Sequence, residues 1–212
     1  MAYNLEEQEQ LDALKDWWKQ YGNLVITVAT IALFAFSGYM GWKWYQRTQA
    51  AEAAQMYEAL QKAAELKDVG KIKAASAVMF EKYGSTLHAQ YAALLAAKAL
   101  SEAKDDAAAK TQLQWLVAHA KEEEFQDIAR LRLAGLLLDE KAYDEGLKLL
   151  AIDPPAPFVA LFADLRGDLL AAQNKSDEAR SAYEQALAVL KPEDGLRGVI
   201  ELKRDALGAP AK

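Results

Sequence analysis

LRLAGLLLDEKAYDEGLKLL, Leu131 to Leu150, and LRGDLLAAQNKSDEARSAY, Leu165 to Tyr183, read as two copies of one unit. The pair Leu131-Arg132 recurs as Leu165-Arg166, and Asp144-Glu145 recurs, one residue sooner, as Asp177-Glu178. Apolar residues recur at helical spacing on either side of a polar break, at Glu140–Ala142 in one copy and Gln173–Lys175 in the other. Each copy is therefore helix, short turn, helix, and the period of about 34 residues is that of the tetratricopeptide repeat. Ala134 with Gly135, and Gly167, fall in the first helix of each copy, and Gly146 and Ala179 in the second. Side chains this small let two paired helices approach closely.

The pattern extends in both directions. A weaker copy lies over Ala92 to Val117, with Ala109 at the small position of its second helix and a slightly longer separation. Upstream, Met56, Leu60, Ala63 and Ala64 make a helical face, and Asp68, Val69 and Gly70 mark a stop. Ile72, Ala75, Val78 and Met79 make another face, ending near Gly84. Asp153-Pro154-Pro155-Ala156-Pro157 cannot continue a helix, because proline lacks the amide hydrogen and clashes with the preceding turn. It reads as a rigid inter-helix turn, or more sharply as a proline-rich ligand segment. A last short helix is expected over Leu196 to Leu207, with Gly208 to Lys212 a flexible tail. No alternation of period two is sustained anywhere, so the fold class is all-α.

A different element precedes the repeats. Gln20 to Trp42 is an uncharged run between Lys19 and Lys43, with an apolar centre from Leu24 to Phe36. At about 1.5 Å per residue, its roughly 23 residues span about 34 Å, against a hydrocarbon core of about 30 Å. Trp17, Trp18 and Tyr21 flank one end, and Tyr39, Trp42, Trp44 and Tyr45 the other. Such rings favour the membrane interface, where the ring body is in an apolar setting and its polar edge stays wet. A cleaved signal peptide would start basic and end on small residues. Here Glu6, Glu7, Glu9, Asp12 and Asp16 precede the core and bulky aromatics follow it. The reading is an uncleaved transmembrane helix in contact with the lipid bilayer. Lys15 and Lys19 on one side nearly balance Lys43 and Arg47 on the other, so charge leaves its orientation open. Ser37 and Gly41 have the spacing of a helix-packing pair, a weak signal when it stands alone.

Chemistry is sparse. The net charge of −6 and the lack of a basic cluster argue against nucleic acid, whose phosphates require one. With 0 cysteines there is no disulfide, thiol nucleophile or thiolate-held zinc. His88 and His119 have no metal-ligand spacing, and no phosphate-binding glycine loop or nucleophile elbow is present. His119 with Glu122 and Glu123 is the nearest approach to an imidazole and carboxylate on one face. The Glu122–Glu124 run reads as a solvated face. No enzyme activity, cofactor or metal is expected. Stacked hairpins offer instead a groove for a peptide or partner helix. Arg132 and Arg166 recur beside the small residues, either as groove-lining groups for acidic partners or as ordinary exposed residues.

EEQEQLDALKDWWKQYGN (Glu6 to Asn23), GWKWYQ (Gly41 to Gln46) and FADLRGDLLAAQNKSDEARSAYEQAL (Phe162 to Leu187) occur in this order along the chain. Together they resemble the YfgM-type ancillary subunit family of the bacterial SecYEG translocon, over essentially the whole chain. The resemblance implies a cytoplasmic N-terminal segment at 1–19, an inner-membrane helix at 20–42 and a juxtamembrane linker at 43–50. It further implies a periplasmic tetratricopeptide-like domain at 51–207 and a flexible tail at 208–212. It implies as partners the SecYEG channel, a membrane-anchored chaperone of the PpiD type and exported polypeptides. The function expected is that of a non-enzymatic adaptor. A structural scaffold in another cell-envelope machine, for division or outer-membrane assembly, is the rival reading.

Overall fold

The computed structural model describes residues 5–208, and among them there is no strand. Met1 to Asn4, part of the expected N-terminal segment, and residues 209–212, part of the expected tail, lie outside that range. Helix α1 is Leu5–Glu65 and α2 Val69–Tyr83; α3 is Leu87–Glu102 and α4 Asp106–His119. Helix α5 is Glu123–Asp139 and α6 Tyr143–Leu149; a short 3-10 turn, Ala156–Phe158, leads into α7, Val159–Ala172. Helices α8, Ser176–Val189, and α9, Gly195–Ala206, complete the described chain. It divides into two compact units between Ala51 and Glu52. Residues 43–50, expected as a linker, are helical.

The first unit holds the transmembrane helix, the one helix among the described residues long and apolar enough to cross a membrane. None of its most apolar window is buried, and Phe34 is 76% exposed. A helix from a soluble core would not look like this. Its two threonine hydroxyls are satisfied from within: Thr27 Oγ1 donates to the Asn23 carbonyl and Thr30 Oγ1 to that of Ile26, both at 2.7 Å. Hydrocarbon supplies no partner, so a spanning hydroxyl must find one in its own helix. Trp17 packs against Trp18 and Tyr21 with ring centroids 6.3 and 5.8 Å away, and Trp42 lies 6.2 Å from Tyr45.

The second unit is a series of hairpins that share one turn. Lys67, Lys104, Lys141 and Asn174 adopt positive φ, at 53°, 63°, 63° and 62°. The interval from Lys67 to Lys104 equals that from Lys104 to Lys141, and the step on to Asn174 is four residues shorter. After each of them, the next amide donates five residues back across the turn. Asp68 donates to Ala63, Asp105 to Leu100, Ala142 to Leu137 and Lys175 to Leu170, all at 2.8–3.0 Å. This left-handed termination satisfies helix-end carbonyls that have no partner inside the helix. Asp68 and Asp105 then cap the following helices by accepting from the Lys71 and Ala108 amides. Val69 and Gly70 therefore begin α2 rather than belonging to the stop, because the cap at Asp68 lets the helix restart at once.

Counting from the left-handed residue aligns the packing. Seven places before it stand Leu60, Ala97, Ala134 and Gly167, and five places after it Ile72, Ala109, Gly146 and Ala179, all of them buried. The last three hairpins have the small pairs expected. The first replaces them with Leu60 and Ile72. Gly167 cannot gain a side chain without a shift in its neighbour, since a Cβ there would run into the Tyr183 ring. At Gly146 it would come within 2.9 Å of Leu169. Gly135 differs from the expectation: nothing lies within 4 Å of a Cβ there, because this residue faces a groove rather than the partner helix. The proline segment lies between helices, after α6 has ended at Leu149, and through the 3-10 turn at Ala156–Phe158 hands the chain to α7. Leu150, Phe162, Leu169 and Ala134 close the core beneath it.

Candidate partner-binding groove

First helices α3 and α5 flank a groove of about 530 Å³, with Leu113 of α4 and Leu136 of α5 among its apolar lining. Its polar side chains come in two sets, Lys98, Ser101 and Glu102 from α3 and Arg132 and Asp139 from α5. Gly135 leaves its middle open. The Lys98–Glu102 pair is loose, at 3.8 Å, and well exposed. An exposed pair this weak leaves both ends available to a partner. The groove is a shallow surface of mixed charge with apolar walls, suited to polypeptide contact.

Arg132 stands in this groove. Arg166 does not: its Nη2 donates to the Leu150 carbonyl at 2.9 Å, and it lines a separate cavity beside Pro154 and Phe162. The interval from Arg132 to Arg166 is one residue longer than that from Lys141 to Asn174, the turn residues of the two hairpins. Arg166 is thus one place nearer its turn, which carries it about 100° around the helix axis. Aligned on the turns, the counterpart of Arg132 is Leu165. The extra residue points Arg166 toward the end of α6, where the orphan carbonyl left by the proline turn needs a donor.

A family model described as a tetratricopeptide repeat-like domain matches residues 15–209. The ancillary SecYEG translocon subunit of Neisseria gonorrhoeae is 32% identical over 211 residues, 98% of this chain and 100% of that protein. The protein of the same name from Haemophilus influenzae is 29% identical over 186 residues, 88% of this chain and 91% of that one. The chain belongs to this translocon-subunit family.

In this member of the translocon-subunit family the expected membrane-interface residues Trp17, Trp18, Tyr21, Tyr39, Trp42, Trp44 and Tyr45 are all exposed on α1. The histidines do other work than ligation. His119 stacks on Trp115, which stacks on Phe80, with centroid distances of 5.0 and 3.9 Å. It ends α4, while Glu123 begins α5 and Glu122 accepts from Gln90, so the three do not share a helix face. His88 lies 6.2 Å from the Tyr57 ring.

One cluster has no signature in the sequence pattern. Lys203 of α9 donates to Asp164 at 2.9 Å and to Asp168 at 2.8 Å, and the Tyr183 hydroxyl donates to Asp168 at 2.8 Å. Burial raises the Asp164 carboxyl above its ordinary value. Burial, then the hydrogen bond to Asp168, raises the Tyr183 phenol. Burial pulls the Lys203 ammonium down, but its hydrogen bonds to Asp168 and Asp164 and their charges outweigh this, so it stands above the usual lysine value. Asp164 and Asp168, four apart on one helix, are the only local signal. Their partner lies more than a full repeat further along the chain, beyond any local pattern.

Proposed function

We propose that this protein is a membrane-anchored adaptor that associates with the SecYEG channel and with a membrane-anchored chaperone of the PpiD type. Its N-terminus is cytoplasmic and its repeat domain periplasmic. The groove between α3 and α5 makes protein–protein contacts that help exported chains leave the channel. The observation that carries this reading is the full-length likeness to ancillary SecYEG translocon subunits, joined to a transmembrane helix and a shallow groove of mixed charge with apolar walls.

The test is affinity purification from gently solubilised membranes, read by mass spectrometry. Sec subunits and the chaperone are expected with the wild-type chain. Gly135→Trp, which fills the groove from a position with room for a side chain, is expected to reduce chaperone or client recovery while the protein stays folded. Absence of every Sec subunit under conditions that keep the channel intact would sink the reading. Recovery of division or outer-membrane assembly proteins in their place would favour the scaffold.

A further inference from the structure

The groove face does not end at α5. Asp139, Gly135 and Arg132 line it from two, six and nine places before the left-handed Lys141, and Glu102 and Lys98 from two and six places before Lys104. On α7 the same three places hold Ala172, Asp168 and Leu165, with Leu161 one turn further back. Gly208 has φ +78° and follows Asn174 at the spacing of one repeat, so α9 is the first helix of a fifth unit. Counted from Gly208, its groove places hold Ala206, Leu202 and Val199. The face thus changes along the array, from paired charges over α3 and α5 to apolar side chains over α7 and α9.

These apolar side chains lie open to solvent: Leu161 is 39%, Val199 49% and Leu202 73% exposed. Surface apolar residues scattered singly need no explanation, but these lie within a helical turn of the Lys203–Asp164 and Lys203–Asp168 bridges that join α7 to α9, and together mark a contact site. The bridge beside them is charged. Asp164 and Asp168 share the single ammonium of Lys203, leaving one net negative charge, and their side chains remain 13% and 23% exposed. An apolar rim over a carboxylate pair with half its charge unmatched is complementary to a segment that is itself both apolar and basic.

We propose that the groove end over α7 and α9 seats a segment of another polypeptide carrying apolar side chains and a Lys or Arg. The apolar groups pack on Leu161, Val199 and Leu202, and the cation reaches the Asp164–Asp168 pair. The adaptor reading supplies the source of such a segment, an exported chain, and in that respect this assignment rests on it. The seat itself is defined by this chain's residues alone.

The experiment uses the full chain in zwitterionic nanodiscs, with empty nanodiscs as control. Two dye-labelled peptides are titrated by fluorescence anisotropy: one of Leu, Ser and Lys, and one with every Lys replaced by Glu. The Lys peptide is expected to bind the wild-type chain about tenfold more tightly than the Glu peptide. Leu202→Gln, which removes the apolar group without adding charge at an exposed position where melting should not change, is expected to weaken the Lys peptide at least about fivefold. Lys82→Glu, an exposed charge change on α2 outside the groove lining, is expected to leave it unchanged. Equal binding of the two peptides, or unaltered binding to Leu202→Gln, would overturn the assignment. If Sec subunits co-purify with the wild-type chain but the peptides are not discriminated, the seat fails and the adaptor reading stands. If the peptides are discriminated but no Sec subunit is ever recovered, the reverse holds.

Discussion

At the scale of single residues, three glycines that look alike in sequence do three different things. Gly167 exists because the Tyr183 ring, 2% exposed and fixed by its hydrogen bond to Asp168, occupies the space a Cβ would take. Gly146 is similarly confined, though by the more flexible end of Leu169. Gly135 faces open groove. Gly167→Ala is therefore expected to cost about 1–3 kcal/mol through overpacking. Gly135→Ala is expected to gain about 0.5–1 kcal/mol, because alanine loses less backbone entropy in a helix. Thermal melts of the two variants should move in opposite directions, by about 2–4 °C per kcal/mol. Equal shifts of one sign would contradict the packing described. The sequence makes all three candidates for close approach and cannot separate them, since what matters is the atom facing each Cα from another helix.

At the scale of elements, hairpins are legible in the sequence and their shared turn is not. Lysine at Lys67, Lys104 and Lys141 gives no hint of a left-handed backbone, which asparagine at Asn174 does. The repeat is therefore clear only in the two copies whose small residues and spacing agree, although the first two hairpins are built the same way. The attachment of α9 is also tertiary. Ile200 enters the core with Tyr183 and Leu187, and Lys203 ties the helix to α7. The Lys203 pKa is raised on folding, so its contribution is complete at neutral pH and is lost only as pH rises through that raised value. Lys203→Met leaves two carboxylates without their cation, and is expected to cost about 2 kcal/mol at pH 7, discounted from a buried pair because the site is partly open. The sign at low pH follows from Asp164, whose raised pKa means that protonation favours the folded form. The deficit of the variant should shrink as pH falls toward the carboxylate range. A deficit that stays constant as pH falls through the carboxylate range in parallel melts would show that the ion pair is not its source.

At the scale of the whole molecule, the adaptor reading predicts a topology that the sequence charges leave open. Protease added to intact spheroplasts should digest the unit from Glu52 onward, while the residues before the transmembrane helix stay protected. Survival of that unit until the membrane is broken would reverse the orientation. The spanning helix, the all-α class and the existence of repeats are determined by sequence alone, because each is written in hydropathy and spacing along one continuous stretch. Which residues share the groove is decided only by tertiary structure. The interval between the two arginines exceeds that between their turns by a single residue. That one residue rotates Arg166 by about 100°, out of the groove and onto the Leu150 carbonyl. The same register brings Lys203 of α9 onto Asp164 and Asp168 of α7. No local pattern contains that placement, since the turn that sets the register is fixed by hydrogen bonds across each hairpin rather than by the residues it aligns.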